Sequence, residues 1–399
     1  MSGFSLLRGV RVLEVAQLAP SSLGGHLADL GAEVIKIETG AGDPVRVGGA
    51  RAVGGPDGPA FLHLRWNRGK RSVALDLRGA EGKRTFLDLA RSCDAVIEGM
   101  RGGYLDWLGI GYDALREVNP AIVLCTVSGM GTEGPYRGLG TGGPVFDAFA
   151  GLREVRTPDE PPRTGIAGST TPPIAMYALG AYGAMALLAA LHRARESGAG
   201  CRVEVAGIDI AAAWLPEAVD AELNRDVSVP RPTWLPDGRL PDWPRLEAYR
   251  TSDGESVLFG AHVDKFWRNF LAAVGREDLA EVDLSSADAG AAARADRIWR
   301  ELTVIFAQRT RAEWVRMFLE HDIAGGPVNS VADLPADPHF LARASTYRVR
   351  GADGVELAFV VSPVRVPGEE FAPALPPAVG ADTEAVLREL GRERAARVE

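Results

Sequence analysis

The chain has 399 residues, enough for two or three domains. A formal net charge of −9 argues against a general nucleic-acid binder. The three cysteines, Cys93, Cys125 and Cys201, lie far apart, and their spacing is typical of neither a zinc site nor a disulfide framework. The first residues enter a strand-like run, GVRVLEV, without the layout of a signal peptide. We therefore expect a cytoplasmic protein with no metal and no nucleic-acid partner.

Apolar runs and helical stretches alternate through the first half of the chain. Strands are predicted at 10–15, 33–38, 72–77, 94–98 and 121–127, with helices at 23–30, 80–92, 104–108 and 112–118 between them. Apolar β-branched strands separated by helices indicate parallel βαβ units. The predicted fold class is α/β, with a Rossmann-like parallel sheet in a large domain and a smaller α+β domain. Because ligands of such sheets bind beyond the carboxyl ends of the strands, Gln17 and Ala19 are candidate pocket residues.

A cluster of cations precedes the third predicted strand. Arg65, Arg68, Lys70 and Arg71 fall within seven residues of an otherwise acidic chain. Lys and Arg hold phosphate groups, so a loop with this charge fits a phosphate-bearing ligand. A solvated basic turn explains the same charges, and the charges alone leave both interpretations open.

The remaining segments indicate how the domains are arranged. Residues 1–226 are predicted to form the large domain, 227–246 a proline-rich linker, 247–325 the smaller domain, and 326–399 a segment that returns to the large domain. A β-hairpin is predicted to turn at residues 252–254. The uncharged run Ile174–Leu191 is rich in Ala and Gly, and we interpret it as a buried core helix rather than a membrane span. The Gly- and Pro-rich residues 132–171 are predicted to shape a pocket.

Several motifs in the same order resemble the family III CoA-transferases, the group that includes formyl-CoA transferase and alpha-methylacyl-CoA racemase. They are GVRVLEV, LADLGAEVIKIE, GDPVR, NRGKRSVALDL, EGMRGG, GYDALREVNPAIVLCTVSGMGTEGPY and RTRAEWVRMFLEHDIAGGPVNS. The resemblance implies coenzyme A bound by the Rossmann-like domain, acyl-CoA and a carboxylic acid as substrates, and no metal. It also implies a cytoplasmic homodimer whose two chains interlock as rings. By motif, the expected neighbours of CoA are Arg46, Asn67, Lys70, Arg71, Met100 and Arg101.

The chain departs from this family at the catalytic position. The transferases use one Asp as a nucleophile, and it falls roughly where this chain has Pro172 to Met176, a stretch without an acid. The His-Asp pair of the racemases falls where this chain reads TGGPVF. Loss of a covalent nucleophile costs on the order of 10⁶ in rate. Asp147 is the nearest candidate replacement and Glu154 a weaker one, although an ordinary polar residue or helix cap explains Asp147 as well.

Three functions remain open at this point. The first is an enzyme acting on acyl-CoA thioesters with an altered catalytic residue. The second is a non-catalytic subunit paired with an Asp-bearing paralogue. The third is a racemase, lyase or dehydratase-type reaction on the same scaffold. Candidate pocket-facing positions for the acyl group are Gly140–Phe149, Trp234 and Trp243, and they do not identify that group.

Overall fold

The computed structural model describes residues 3–50, 58–152, 172–227, 243–282, 284, 290–351 and 354–398. The chain divides into two compact units, one formed by Met1–Arg225 with Ser345–Glu399 and the other by Asp226–Ala344. The return to the first unit thus begins at Ser345, later than the boundary of 326 that the sequence suggested. Glu154, Trp234 and most of the proposed linker lie outside the described residues.

A six-stranded parallel sheet forms the centre of the first unit. Its strands are β1 (Arg11–Ala16), β2 (Glu33–Glu38), β3 (Arg71–Ala74), β4 (Ala95–Gly99), β5 (Val123–Ser128) and β6 (Arg202–Ala206). They lie in the order β3-β2-β1-β4-β5-β6, and all neighbouring pairs are parallel. This is the doubly wound order that reverses between β1 and β4. The predicted α/β class is confirmed.

Side chains of the central strands point alternately into two separate cores, which is why the strands read as continuous apolar runs. In β4, Val96 belongs to one core and Ile97 to the other. Helices cover both faces. They are α1 (Ser21–Asp29), α2 (Phe61–Asn67), α3 (Ala80–Ala90), α4 (Tyr104–Leu108), α5 (Tyr112–Val118), α6 (Gly143–Phe149), α7 (Ile174–Ser197), α8 (Gly207–Ala213) and α9 (Pro216–Leu223). Arg65 therefore lies on a helix, which corrects the expectation that residues 65–71 form a loop throughout.

The helix α7 is long and apolar enough to cross a membrane by composition, but it packs in the core as predicted. Its glycines explain the Ala- and Gly-rich sequence. A Cβ atom at Gly180 would lie 2.2 Å from Ser22 Oγ, and one at Gly183 would lie 2.5 Å from Leu23 Cδ1. Only a helix without side chains at these positions can approach α1 so closely.

The second unit is a smaller α+β unit, as expected. Its elements are β7 (Leu246–Arg250), β8 (Ser256–Gly260), α10 (Asp264–Val274), α11 (Ala291–Phe306), α12 (Arg311–Glu320), β9 (Gly325–Pro327) and α13 (Pro338–Ala342). The strands β7 and β8 form the predicted hairpin, with Gly254 at a φ of 81° in the turn. Back in the first unit, the chain adds β10 (Thr346–Arg350), β11 (Glu356–Val360) and α14 (Thr383–Val398).

Candidate functional site

A cavity of about 530 Å³ lies at the carboxyl edge of the six-stranded sheet. Residues at and just beyond the carboxyl ends of β1, β4 and β5 form much of its wall, at 17–20, 99–102 and 127–131, and residues 139–143 form another part. Ala16 and Gly99 are register partners at the point where the strand order reverses. Open α/β sheets bind their ligands at such a reversal, so the fold itself indicates this cavity as the site.

The cavity has an apolar interior with few polar groups. Its apolar side chains include Val45, Leu62, Trp66, Met130, Phe146, Met176 and Leu179. Its polar side chains are Gln17, Arg101, Ser128, Arg137 and Thr141. The described lining contains no Asp, Glu or His side chain. An apolar cavity with a few polar groups is typical of a small-molecule site.

Four of the eight residues that the sequence predicted as pocket residues or CoA neighbours line this cavity. They are Gln17, Ala19, Met100 and Arg101. The part of the predicted Gly140–Phe149 segment that lines it comprises residues 140–143 and Phe146. The other four expected residues, Arg46, Asn67, Lys70 and Arg71, are not among its described lining residues.

Lys70 is buried beneath the cavity wall rather than exposed to a ligand. Its Nζ donates to both carboxylate oxygens of Glu14, at 2.9 and 2.7 Å, to Ser21 O at 2.6 Å, and to Asn67 Oδ1 at 2.9 Å. Burial lowers the pKa of Lys70 to about 8, although the carboxylate of Glu14 acts to raise it. All three protons of the ammonium group thus have acceptors within the fold.

The neighbouring arginines are also held by the chain's own oxygens. Arg68 is 1% exposed, and its guanidinium binds the two carboxylate oxygens of Asp29 at 2.7 and 2.5 Å. Arg71 donates to Glu33 at 2.7 Å and to both oxygens of Glu389, and these hydrogen bonds raise its pKa. Ion pairs within the fold therefore account for Arg68 and Arg71, an explanation that neither the phosphate-binding loop nor the solvated turn anticipated.

Arg46, from the GDPVR motif, is likewise paired. It donates to both oxygens of Glu38, at 3.0 and 2.5 Å, and to Pro377 O at 3.0 Å. Burial acts to raise the pKa of Glu38, but hydrogen bonds from Arg46 and Ser72 outweigh it, and the pKa of Glu38 is lowered. Arg46 thus joins the end of β2 to the C-terminal part of the chain.

Two arginines at the cavity contrast with these. Within the described residues, the side chains of Arg101 and Arg137 make no hydrogen bond or ion pair, and both residues are exposed. The guanidinium of Arg101 lies beside Gly140, where a Cβ atom would come within 3.3 Å of it. Sequence reasoning did not single out Arg137, because it stands in a glycine-rich loop without periodicity. Two unpaired guanidinium groups at an open cavity fit an anionic ligand.

Asp147 has a place in the fold that differs from the cavity wall. It is 2% exposed, its Oδ1 accepts the backbone N–H of Ala175 at 3.1 Å, and it is not among the described lining residues. Ala175 is in the first turn of α7, whose backbone donors have no partners within the helix. Asp147 thus caps α7 from α6, which is the structural interpretation that the sequence left open.

Met176 is the cavity residue nearest in sequence to the expected catalytic acid. Of the residues 172–176, only Met176 lines the cavity. A Cβ atom at Gly143 would lie 2.4 Å from both the Cβ and the Sδ of Met176, so its side chain packs directly on the Gly143 backbone. A thioether carries no charge and is at most a weak hydrogen-bond acceptor. It cannot perform carboxylate chemistry.

Glu98 shapes another wall of the cavity from beneath. Its Oε1 accepts the backbone N–H of Leu105 at 2.8 Å, and its Oε2 accepts the hydroxyl of Thr126 at 2.9 Å. Burial raises its pKa. The carboxyl group thereby ties the start of α4 to the end of β4 and fixes the course of residues 99–103 between them. No cluster of metal-ligating side chains occurs among the described residues.

Comparison with known proteins agrees with this fold. The chain matches the model of CoA-transferase family III over residues 7–383. Succinyl-CoA–D-citramalate CoA-transferase of Chloroflexus aurantiacus is 32% identical over 87% of this chain and 84% of its own length. The alpha subunit of succinyl-CoA–L-malate CoA-transferase from Chloroflexus aurantiacus is 31% identical over 96% of this chain and 88% of its own length. A solved Asp-to-Ala variant of Rv3272 from Mycobacterium tuberculosis has a TM-score of 0.77 at 28% identity, covering 96% of this chain and 98% of that one.

The fold is a doubly wound α/β sheet with a cavity at the point where the strand order reverses. The chain belongs to CoA-transferase family III. Acyl-CoA thioesters are the substrates of this family, so the family, the transferase class and the substrate class expected from the sequence are confirmed.

Proposed function

We propose that this chain acts on an acyl-CoA thioester in the cavity, with a catalytic arrangement that differs from the aspartate-based one of its family. The observation that carries this proposal is Met176. It is the one residue of the expected catalytic stretch 172–176 that lines the cavity, and it has no carboxylate. An enzyme-bound acyl anhydride needs a carboxylate nucleophile, and the described lining residues offer none.

The charges around the cavity support the CoA part of this proposal. Arg101 and Arg137 are available for the phosphate groups of CoA, because the described residues give them no internal partner. The apolar side chains around Met176 would accept the acyl chain. The cations of the basic segment, Arg65, Arg68, Lys70 and Arg71, then support the fold beneath the cavity instead of touching the ligand.

The described lining residues that could take part in chemistry are few. Ser128 and Thr141 carry hydroxyl groups, and Ser128 Oγ already accepts the backbone N–H of Gly131 at 3.0 Å. A hydroxyl group needs a neighbouring base to act as a nucleophile. The missing base or acid would come from another part of the chain or from a second chain.

A non-catalytic subunit is the second candidate, and Met176 favours it as well. One relative is named as the alpha subunit of a CoA-transferase, so members of this family function in assemblies of distinct subunits. In such an assembly this chain would bind CoA while an Asp-bearing paralogue performs the transfer. A racemase, lyase or dehydratase-type reaction has less support, because proton transfer at an α-carbon needs a base and the described lining lacks one.

Thioester exchange measured by mass spectrometry tests the proposal. Purified protein is mixed with a panel of acyl-CoAs and isotope-labelled acids, and CoA binding is measured separately by calorimetry. We expect CoA to bind and no acyl adduct to form on an aspartate. Label transfer by this chain alone would favour the enzyme, and transfer only after an Asp-bearing paralogue is added would favour the subunit. Absence of CoA binding would refute both.

The variant Met176→Asp tests the role of this position directly. We expect its thioester exchange rate to rise by roughly 10²-fold or more. This increase would recover part of the ~10⁶-fold rate factor that a covalent nucleophile supplies. The matched control is Met185→Asp on the same helix, where the methionine is exposed and lies outside the described lining. If Met176→Asp gains nothing over that control while it still binds CoA, position 176 is not the catalytic position.

The assembly and the location are also proposals. We infer an interlocked homodimer and a cytoplasmic location, since the family resemblance implies both, and the buried thiols of Cys93, Cys125 and Cys201 suit a reducing compartment. Sedimentation analysis of the purified chain would contradict the first by showing a monomer.

A further inference from the structure

The turn between β1 and α1 has an unusual backbone at the wall of the cavity. Leu18 has a φ of 57°, in the left-handed region that non-glycine residues rarely adopt. Its side chain is 46% exposed, so burial of the side chain does not explain this conformation. The turn from Gln17 to Pro20 lines the cavity. Some other interaction must hold a strained backbone at a binding surface.

The carboxylate of Asp43 makes that interaction. Its Oδ1 accepts the backbone N–H of Leu18 at 3.0 Å, and its Oδ2 accepts the hydroxyl of Ser21 at 2.9 Å. Asp43 is buried, and it belongs to the GDPVR motif, of which only Val45 is among the described lining residues. One carboxylate therefore holds both the strained residue and the first residue of α1.

Lys36 in turn holds Asp43 and the beginning of the turn. Its Nζ lies 3.0 Å from Asp43 Oδ2 and donates to Ala16 O at 2.6 Å and to Ser21 Oγ at 2.9 Å. Burial acts to lower the pKa of Lys36, but the carboxylates of Glu14 and Asp43 outweigh it and raise the pKa. Lys36 therefore remains charged, and its place on β2 fixes the turn to the sheet.

Lys70 joins the same network of hydrogen bonds, which links Glu14, Lys36, Asp43 and Ser21. It donates to Ser21 O and shares the carboxylate of Glu14 with Lys36. Two ammonium groups and two carboxylates, those of Glu14 and Asp43, thus balance in charge within the fold. None of these four side chains is among the described lining residues, so the network acts on the cavity through the turn.

We propose that Asp43, supported by Lys36, is a positioning residue that holds Leu18 in the left-handed region and so gives the cavity wall its ligand-binding shape. The inference rests on the proposed function, because the ligand used to test it is CoA. Asp43 would govern affinity without touching the ligand, by keeping residues 17–20 in one conformation before binding.

The first experiment compares full-length Asp43→Asn with the wild type. Asparagine keeps the shape of Asp43 but removes the charge that Lys36 balances. We expect faster amide hydrogen exchange at residues 17–21 and a loss of CoA affinity of about tenfold or more, as measured by calorimetry. The matched control is Asp113→Asn, an exposed carboxylate away from the cavity, which should change neither quantity.

A second set of variants separates positioning from general stability. Leu18→Gly and Leu18→Ala both remove the side chain, but only glycine adopts a positive φ without strain. In the Asp43→Asn background, we expect the Gly variant to bind CoA about fivefold more tightly than the Ala variant, with no matching difference in Tm. Leu18→Pro, which cannot adopt φ of +57° and lacks the N–H, should bind CoA most weakly of the three.

The outcomes keep the two proposals distinguishable. If the wild type does not bind CoA, the proposed function fails, and hydrogen exchange in Asp43→Asn still tests the positioning role. Unchanged exchange at residues 17–21 in that variant would overturn the inference. Equal CoA affinity for the Gly, Ala and Pro variants at position 18 would overturn it too.

Discussion

Two groups of cations in the first unit have opposite surroundings. In the basic segment, Arg68 and Lys70 are buried against Asp29 and Glu14. At the cavity, Arg101 and Arg137 are exposed, and the described residues provide no partner for either. By charge alone, either group could hold a phosphate. The partners decide the role: a cation that is already neutralised inside the fold stabilises the fold, and an unpaired cation at a cavity is available to a ligand.

Arg68→Ala is the most severe test of this contrast. It leaves the Asp29 carboxylate buried without its charged partner, and breaking a buried pair in this way costs roughly 3–5 kcal/mol. The guanidinium also lies 4.8 Å from the centre of the Phe371 ring, so the loss of packing adds to the cost. We expect a lower free energy of unfolding in urea. If the variant kept its stability but lost CoA affinity, the basic segment would be a ligand site after all.

The matched control for that experiment is Arg116→Ala. Arg116 is largely exposed and its ion pair with Asp113 measures 3.7 Å. Such surface pairs contribute about 0–1 kcal/mol. If Arg116→Ala lowered the free energy of unfolding as much as Arg68→Ala does, burial of the ion pair would not be the cause of the destabilisation.

The pH dependence of stability tests another buried contact of a cation, that of Arg46 with His63, and its expected effect on the free energy of unfolding is smaller. His63 is buried beside Arg46, which can only donate, so the Nε2 atom accepts from it at 3.3 Å. Burial and the charge of Arg46 lower the pKa of His63 to about 3 from an ordinary value of 6.5. Between pH 6.5 and pH 3, His63 therefore binds a proton more readily in the unfolded chain than in the folded one. Stability should therefore fall as the pH falls from 6.5 towards 3, by ~1.4 kcal/mol per pH unit at most.

The measurement is the free energy of unfolding of the wild type and of His63→Gln at pH 7, 6 and 5. In this range the carboxylates of Glu38 and Asp43, whose pKa values are lowered, remain charged. We expect the free energy of unfolding of His63→Gln to fall less steeply between pH 7 and pH 5 than that of the wild type. The variant His192→Gln, which removes an exposed histidine, should follow the wild type. Identical slopes for the wild type and His63→Gln would show that His63 is not held neutral in the fold.

The sequence predicted what depends on local pattern and missed what depends on distant contacts. The strands β1 to β5 and the helix α7 were found because their apolar periodicity is a property of short segments. The partner of Arg71 could not be found this way, because Glu389 lies 318 residues further along the chain. Gln17 and Ala19 were found by the rule that ligands bind at the carboxyl ends of strands. Arg137 follows no periodic element, so only the folded loop places it at the cavity.

The cavity arginines give the smallest expected effect on stability and the clearest effect on binding. Arg101→Ala and Arg137→Ala should each weaken CoA binding by about 10- to 100-fold, since a hydrogen bond to a charged group contributes roughly 1.5–3 kcal/mol. Their free energies of unfolding should stay within about 0.5 kcal/mol of the wild type, because the described residues give neither side chain an internal partner to lose. The dependence of CoA affinity on salt should become weaker in both variants.

Arg71→Ala is the control that completes the comparison. Its ion pairs with Glu33 and Glu389 are partly exposed, so its removal should cost no more than about 1 kcal/mol of stability. CoA affinity should be unchanged, since Arg71 is not among the described lining residues. Repeating the calorimetry with dephospho-CoA identifies the phosphate that each cavity arginine holds: an arginine whose replacement weakens both ligands equally does not contact the 3′-phosphate. A loss of affinity in Arg71→Ala that matches Arg101→Ala would erase the distinction between paired and unpaired cations.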